Sequence, residues 1–174
     1  AQAEKLAGEQ RFDQGLRAYE SEEYKSALQE IRPLAEEVHA QAQYRLGVMY
    51  SQGQGLPQDQ EQALKWFRKA ADQGNAKARF KLGVSYLKGQ GVTKDEGQAV
   101  KWYKKAAEQG HAKAQTHLGI MYEFGNGVPQ NTEKSVKWYK KAAEQGESIA
   151  QDELGYRYYQ GEGVPQDYEK AAKW

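Results

Sequence analysis

Apolar residues recur along the chain at the spacing of a helix surface. Ala42, Leu46 and Tyr50 stand four apart, as do Ala78, Leu82 and Tyr86, Ala114, Leu118 and Tyr122, and Ala150, Leu154 and Tyr158. Positions i, i+4 and i+8 share one face of a helix, so each set predicts an amphipathic helix, here termed helix A. A second pattern follows: Ala63, Trp66, Phe67, Ala70 and Ala71, then Ala99, Trp102, Tyr103, Ala106 and Ala107, then Ser135, Trp138, Tyr139, Ala142 and Ala143. Large aromatics beside alanines interdigitate when helices pack, which predicts a helix B after each of the first three helices A.

The two patterns return every 36 residues. Residues 40–75, 76–111 and 112–147 are full copies, and 148–174 is a fourth that stops early; the second and third copies share 20 of 36 positions. Residues 1–39 read as a degenerate capping pair, because 22–39 lies one period before 58–75, with Ala27, Ile31 and Ala35 matching Ala63, Phe67 and Ala71. Its first helix, around Phe12–Tyr19, lacks the glycine loop of the others and is joined more tightly to its partner. A single helix–turn–helix cannot bury its own apolar face, so neighbours must stack. The predicted fold is all-α: one continuous right-handed α-solenoid of stacked helix pairs.

Punctuation between the helices agrees. The loops GQGLP (53–57), GQGVT (89–93), GNGVP (125–129) and GEGVP (161–165) supply glycine where unusual backbone angles are needed. Asp59, Asp95, Asn131 and Asp167 then stand at N-cap positions, with Gln62 and Gln98 completing capping boxes, and Asn75 placed to cap the next helix A. Gly74, Gly110 and Gly146 predict left-handed C-terminal caps. Gly47, Gly83, Gly119 and Gly155 lie inside helix A, where glycine costs about 1 kcal/mol relative to alanine. Their recurrence predicts close approach by a neighbouring helix.

The chain has 174 residues, a net charge of +1 and no cysteine. This composition leaves no disulfide scaffold, thiol catalysis or cysteine-ligated metal. The charge balance gives no reason to expect nucleic acid, and no apolar run reaches the roughly 20 residues of a membrane-spanning helix. The start, AQAEKL, has neither an initiator methionine nor an apolar targeting core, which suggests a mature exported protein (periplasmic or secreted), with the cytoplasm as the alternative. Trp174 corresponds to Trp66, where earlier copies continue into further apolar residues. The expectation is a truncated piece of a longer array; self-association through the uncovered end near Trp174 is the alternative.

The ordered signature A-x-A-Q-x-x-L-G-x-M-Y, then G-x-G-V-P, then A-x-x-W-Y-x-K-A-A-x-x-G resembles the Sel-one-like repeat, a relative of the tetratricopeptide repeat with a longer loop between its helices. The likeness is close over 40–174 and loose over 4–39, with Thr93, Ser135 and Ser148 as departures. The resemblance implies a protein-interaction scaffold without chemistry of its own. Bacterial members of that family are commonly exported and act in assembly, secretion or host contact, and eukaryotic members serve as adaptors in membrane-associated protein degradation. A cysteine-rich bacterial branch is linked to penicillin binding, and the absence of cysteine argues against membership of it.

Candidate chemistry is sparse. The repeated G-x-G lacks the preceding strand and third glycine of a dinucleotide fingerprint. Lys101, Lys104 and Lys105, with Lys137, Lys140 and Lys141, could form a basic ladder, but Glu61–Lys65, Arg68–Asp72, Lys104–Glu108, Glu133–Lys137, Lys140–Glu144 and Glu169–Lys173 are each four apart and predict locally neutralised helix faces. His39, His111 and His117 show no metal or catalytic spacing, so no cofactor, metal site or catalytic residue is assigned.

Where the repeats disagree, a binding surface is predicted. In a right-handed stack the helix-A faces line the concave side, which would carry Gln41, Tyr44, Arg45, Val48, Lys77, Phe80, Lys81, Val84, Lys113, His117, Ile120, Phe124, Ile149, Tyr156 and Tyr159. Exposed aromatics interspersed with basic side chains suit a protein or extended peptide with some acidic character. The leading expectation is therefore a non-enzymatic scaffold or adaptor. The alternatives are an enzyme acting on a cell-wall or β-lactam-type ligand, by family analogy alone, and a self-assembling array.

Overall fold

A computed structural model of the chain describes residues 2–174, with every side chain among them except that of Lys5. Ten helices and no strand are found among the described residues. These are α1 (Gln2–Glu20), α2 (Tyr24–Glu36), α3 (Ala40–Gln52), α4 (Gln60–Asp72), α5 (Ala76–Lys88), α6 (Glu96–Glu108), α7 (Ala112–Phe124), α8 (Thr132–Glu144), α9 (Ser148–Gln160) and α10 (Tyr168–Lys173). Helices α3, α5, α7 and α9 are the predicted helices A, and α4, α6, α8 and α10 the helices B.

The caps set these boundaries. The side chains of Asp59, Asp95, Asn131 and Asp167 accept the amides of Gln62, Gln98, Lys134 and Lys170 at 2.8–2.9 Å, bonds of the kind that contribute about 1 kcal/mol each. The reciprocal half of the expected capping boxes does not form. The amides of Asp59 and Asp95 donate instead to the carbonyls of Tyr50 and Tyr86 at 2.9 Å, tying the start of helix B to the last turn of helix A. At the other end Gly74, Gly110 and Gly146 adopt φ of 87–90°. There the amide of Gly74 bonds the Ala71 carbonyl and that of Asn75 the Ala70 carbonyl, a Schellman closure. Val38 stands one period before Gly74 and takes φ of 71°, a left-handed conformation unfavourable for a β-branched side chain.

The described chain divides into two compact units, one running to Ser85 with Gly89–Thr93, the other Tyr86–Lys88 with Lys94–Trp174. In the first, Phe12, Ala27, Ile31, Leu34, Ala35, Ala42, Leu46 and Met49 form a buried core, with Leu16, Tyr19, Leu28 and Trp66 packed against it. In the second, Val136, Tyr139, Ala142, Ala143, Ala150 and Leu154 form a core joined by Ile120, Tyr158, Val164 and Trp174.

Two of the helix-A glycines, Gly47 and Gly119, are explained by aromatic rings. A Cβ at Gly47 would stand 2.7 Å from the Phe67 ring, and one at Gly119 would stand 2.7 Å from the Tyr139 ring. The close approach is thus a helix-B side chain lying flat on helix A. In the first pair Gly15 does the same for Ile31, at 2.9 Å. Its place is shifted because the α1–α2 connection (21–23) is four residues shorter than the α3–α4 connection (53–59). The second loop glycine reaches back to the preceding pair. A Cβ at Gly55 would meet the Tyr24 carbonyl at 2.8 Å, at Gly91 the Gln60 carbonyl at 2.3 Å, and at Gly127 the Glu96 carbonyl at 2.4 Å. The G-x-G motif is therefore a packing device between repeats.

Candidate functional site

Each unit presents the helix-A face in its own way. In the first unit Gln41 and Lys77 are exposed, and Tyr44, Arg45, Phe80, Lys81 and Val84 are half-buried. The Tyr44 ring lies 6.0 Å from that of Phe67, and burial raises its hydroxyl pKa, an effect the Arg45 charge partly offsets. The Arg45 guanidinium stacks on the Tyr19 ring at 4.4 Å from its centroid and stands 6.0 Å from that of Tyr44. A hollow of about 300 Å³ opens here between α1, α3 and α5, with Leu16, Tyr44, Arg45 and Lys77 among its walls. An adjoining hollow of about 490 Å³, lined by Glu9, Asp13 and His39, shares Phe12 and Gln41 with it. Val48 departs from the expectation: only 7% of it is exposed. It is therefore buried with the core residues and not a contact for a partner.

In the second unit Lys113 is exposed, whereas His117 is half-buried with its ring 5.1 Å from that of Tyr103 and its Nδ1 2.8 Å from the Lys113 carbonyl. Ile120 packs against the Val136–Tyr139 core, so most of its surface serves the fold. Thr116, which stands in the column of Tyr44 and Phe80, is buried and donates to the Ala112 carbonyl. Phe124, Ile149, Tyr156 and Tyr159 are more than half exposed. The rings of Tyr159 and Tyr168 meet at 5.5 Å, beside an open hollow of about 520 Å³ walled by Gly155, Tyr156, Ala171 and Trp174.

A charged cluster was missed at the sequence level. Arg157 is buried on α9, pairing through Nη2 with Glu123 and donating through Nη1 to Glu162 at 2.6 Å, with Glu153 at 3.9 Å. The Tyr139 hydroxyl donates to the other Glu123 oxygen at 2.6 Å. Burial and that bond push the Tyr139 hydroxyl well above the ordinary range of a phenol, while burial and the neighbouring Glu123 charge raise the Glu153 carboxyl. The signal was an arginine in the column of Met49, Ser85 and Met121, facing a glutamate in the column of Ser51 and Leu87.

The remaining candidates have structural roles. His39 and His111 cap α3 and α7, their Nδ1 atoms accepting the amides of Ala42 and Ala114 at 3.2 Å. Lys69, Lys105 and Lys141 lie over the rings of Trp66, Trp102 and Trp138 at 4.3–4.8 Å, and Lys104 pairs with Glu108 at 3.9 Å. Among the described residues no group of three or more His, Cys, Asp or Glu side chains could hold a metal ion, and no helix is long and apolar enough to cross a membrane.

The Sel1 repeat profile matches residues 40–75, 76–111, 112–147 and 148–174. A protective antigen of uropathogenic Escherichia coli with an SLR fold is 46% identical over 84% of this chain and 32% of its own, with a TM-score of 0.82. A Sel1 repeat protein from Oxalobacter formigenes is 39% identical over 94% of this chain and 65% of its own, with a TM-score of 0.88. Cysteine-rich protein B of Helicobacter pylori, at 24% identity and a TM-score of 0.59, shares the fold. The chain thus spans about a third of the length of the first of these and just under two thirds of the second. Comparison with curated proteins finds no match. Sel1 repeat proteins are generally non-catalytic protein-interaction scaffolds built as helical solenoids. Four consecutive profile matches, running from residue 40 to residue 174, make this chain a member of the Sel1 repeat family.

Proposed function

We propose that the chain is a non-enzymatic interaction module that holds a protein or extended peptide against its helix-A faces: α3 and α5 in one unit, α7 and α9 in the other. The observation that carries this reading is the exposure of Phe124 (64%), Tyr159 (55%), Ile149 (52%) and Tyr156 (51%) on helices A. Large apolar side chains left in water on one face mark interaction sites. Aromatic anchors of this kind carry much of the binding energy in protein interfaces. Packed helix pairs fix such anchors in advance, which lowers the ordering cost of association.

The test is a peptide-display selection on the immobilised protein, followed by calorimetric titration of one selected synthetic peptide. The double variant Phe124→Ala/Tyr156→Ala should weaken binding by about tenfold or more while keeping its helical circular dichroism. Lys104→Ala, on helix B, should bind as wild type. Full affinity in the double variant, with loss in Lys104→Ala, would overturn the reading. An exported setting belongs to the proposal, supported by the likeness to a protective antigen, and fractionation of the source organism tests it.

A further inference from the structure

Two arginines on helices A, Arg45 and Arg157, have opposite surroundings. Arg157 is enclosed by three carboxylates. Arg45 has no carboxylate and no hydrogen-bond acceptor on any of its nitrogens among the described residues, and its Nε is buried. A guanidinium held rigid by stacking on Tyr19, with unused donors, is a preformed receptor for a planar anion. It lines the hollow of about 300 Å³, and Lys77 adds a second cation there. The start of α5 borders the same space. Asn75 caps the Ala78 amide, and the earlier amides of Ala76 and Lys77 have no carbonyl four back within the helix.

Resting on the peptide-binding reading above, we infer that this hollow receives the side-chain carboxylate of a glutamate or aspartate within the bound polypeptide, paired with Arg45 and Lys77. A side chain is indicated because the site does not stand at the end of the surface. The adjoining hollow, sharing Phe12 and Gln41, continues past it and is lined by Glu9 and Asp13. The ligand chain therefore extends beyond the carboxylate, and the acidic hollow favours a cationic or neutral residue at that next position.

The probe is N-acetyl-L-glutamate N-methylamide, titrated by NMR into the full isotope-labelled chain, so that no partner is needed. Saturable shifts are expected at the Arg45 Nε–H and the Ala76 and Lys77 amides. The glutamine analogue, of the same shape without charge, should bind about tenfold more weakly or worse. Arg45→Gln should abolish the response. Lys77→Gln, at an exposed position that does not hold the fold, should weaken it severalfold, and Lys113→Gln should leave it unchanged. Equal response to the glutamine analogue, or an unchanged response in Arg45→Gln and Lys77→Gln, would overturn the inference. Tighter binding of N-acetylglycine or of inorganic phosphate would overturn the side-chain assignment in favour of a terminal carboxylate or a phosphate. A failed glutamate response alongside an intact Phe124/Tyr156 effect in the calorimetry rejects this pocket alone. The reverse result rejects the wider surface and keeps the anion site.

Discussion

Replacing Arg157 by methionine, the residue at the equivalent positions 49 and 121, takes the cation away from three carboxylates. Glu162 is half exposed, and a pair of that kind contributes on the order of 0.5 kcal/mol. Glu123 has only 18% of its side chain exposed, and losing a charge-assisted bond there costs about 1.5–3 kcal/mol. The Tyr139 hydroxyl still donates to Glu123, which holds the loss toward the lower end. The sum is about 2–3 kcal/mol, or a fall in Tm of roughly 4–12 °C for a chain of this size.

The sign of the pH dependence follows. Burial and the Glu123 charge raise the Glu153 carboxyl and the Arg157 charge opposes them, so without the guanidinium Glu153 holds its proton still more tightly folded than unfolded. Acidification through that raised range then favours folding, and the deficit of the variant should shrink as the pH is lowered from neutrality. A triple variant, Glu123→Leu/Arg157→Met/Tyr139→Phe, borrows its residues from positions 87, 121 and 67. It should recover most of the loss, because apolar replacement of a whole buried polar group is often neutral or better. Thermal and urea unfolding at pH 7 and pH 4.5, followed by circular dichroism, measure all three quantities. An Arg157→Met protein as stable as wild type at pH 7 would refute the reasoning, as would a deficit that grows on acidification.

Further expectations concern the backbone and the buried phenols. Gly47→Ala should cost about 1–3 kcal/mol by driving a methyl into the Phe67 ring; Gly155→Ala should cost less, because its nearest neighbour is the Ala171 carbonyl at 3.3 Å and no ring covers it, and urea midpoints compare them. Val38→Gly should stabilise by about 1–2 kcal/mol by relieving a left-handed valine, seen as a higher Tm. Burial raises the hydroxyls of Tyr103 and Tyr139 above the ordinary value of 10.0. Above pH 10 the unfolded chain therefore releases two protons that the folded chain keeps, and stability should fall by about 2.7 kcal/mol per pH unit. Urea midpoints from pH 9 to 11 check the slope, and early ionisation of both rings at 295 nm in the folded protein would contradict it.

Much of the fold was legible because each device recurs within one chain. Asp59, Asp95, Asn131 and Asp167 cap where spacing places them, and the glycines of helix A mark real close approaches. The surface was harder to read. A period of 3.6 separates one face of a helix from its opposite, but a helix between stacked neighbours is covered on its flanks as well. Val48 and Thr116 are buried, though Val48 was expected on the outward face with its column neighbours Val84 and Ile120. Arg157 and Glu123 were illegible for another reason. Each is an oddity in its own column, and only their meeting in space, 34 residues apart, turns two exceptions into one interaction. Gly15 was hidden by a connection four residues short, which moved it out of the column it serves.

The backward reach of the second loop glycine bears on how such a chain can be lengthened by splicing. Gly91 seats on Gln60 and Gly127 on Glu96, each 31 residues earlier. A 36-residue segment copied whole therefore carries both its own lug and the socket for the next, and inserting it restores every backbone seat. A segment of any other length would set the lug against side chains. Gene-level grafts of whole units should accordingly be tolerated in α3–α6, whereas the segment holding Arg157 is order-bound: moved behind a unit bearing Ser51 or Leu87, it would lose its least exposed carboxylate partner, Glu123, and keep only Glu153 and Glu162 of its own segment.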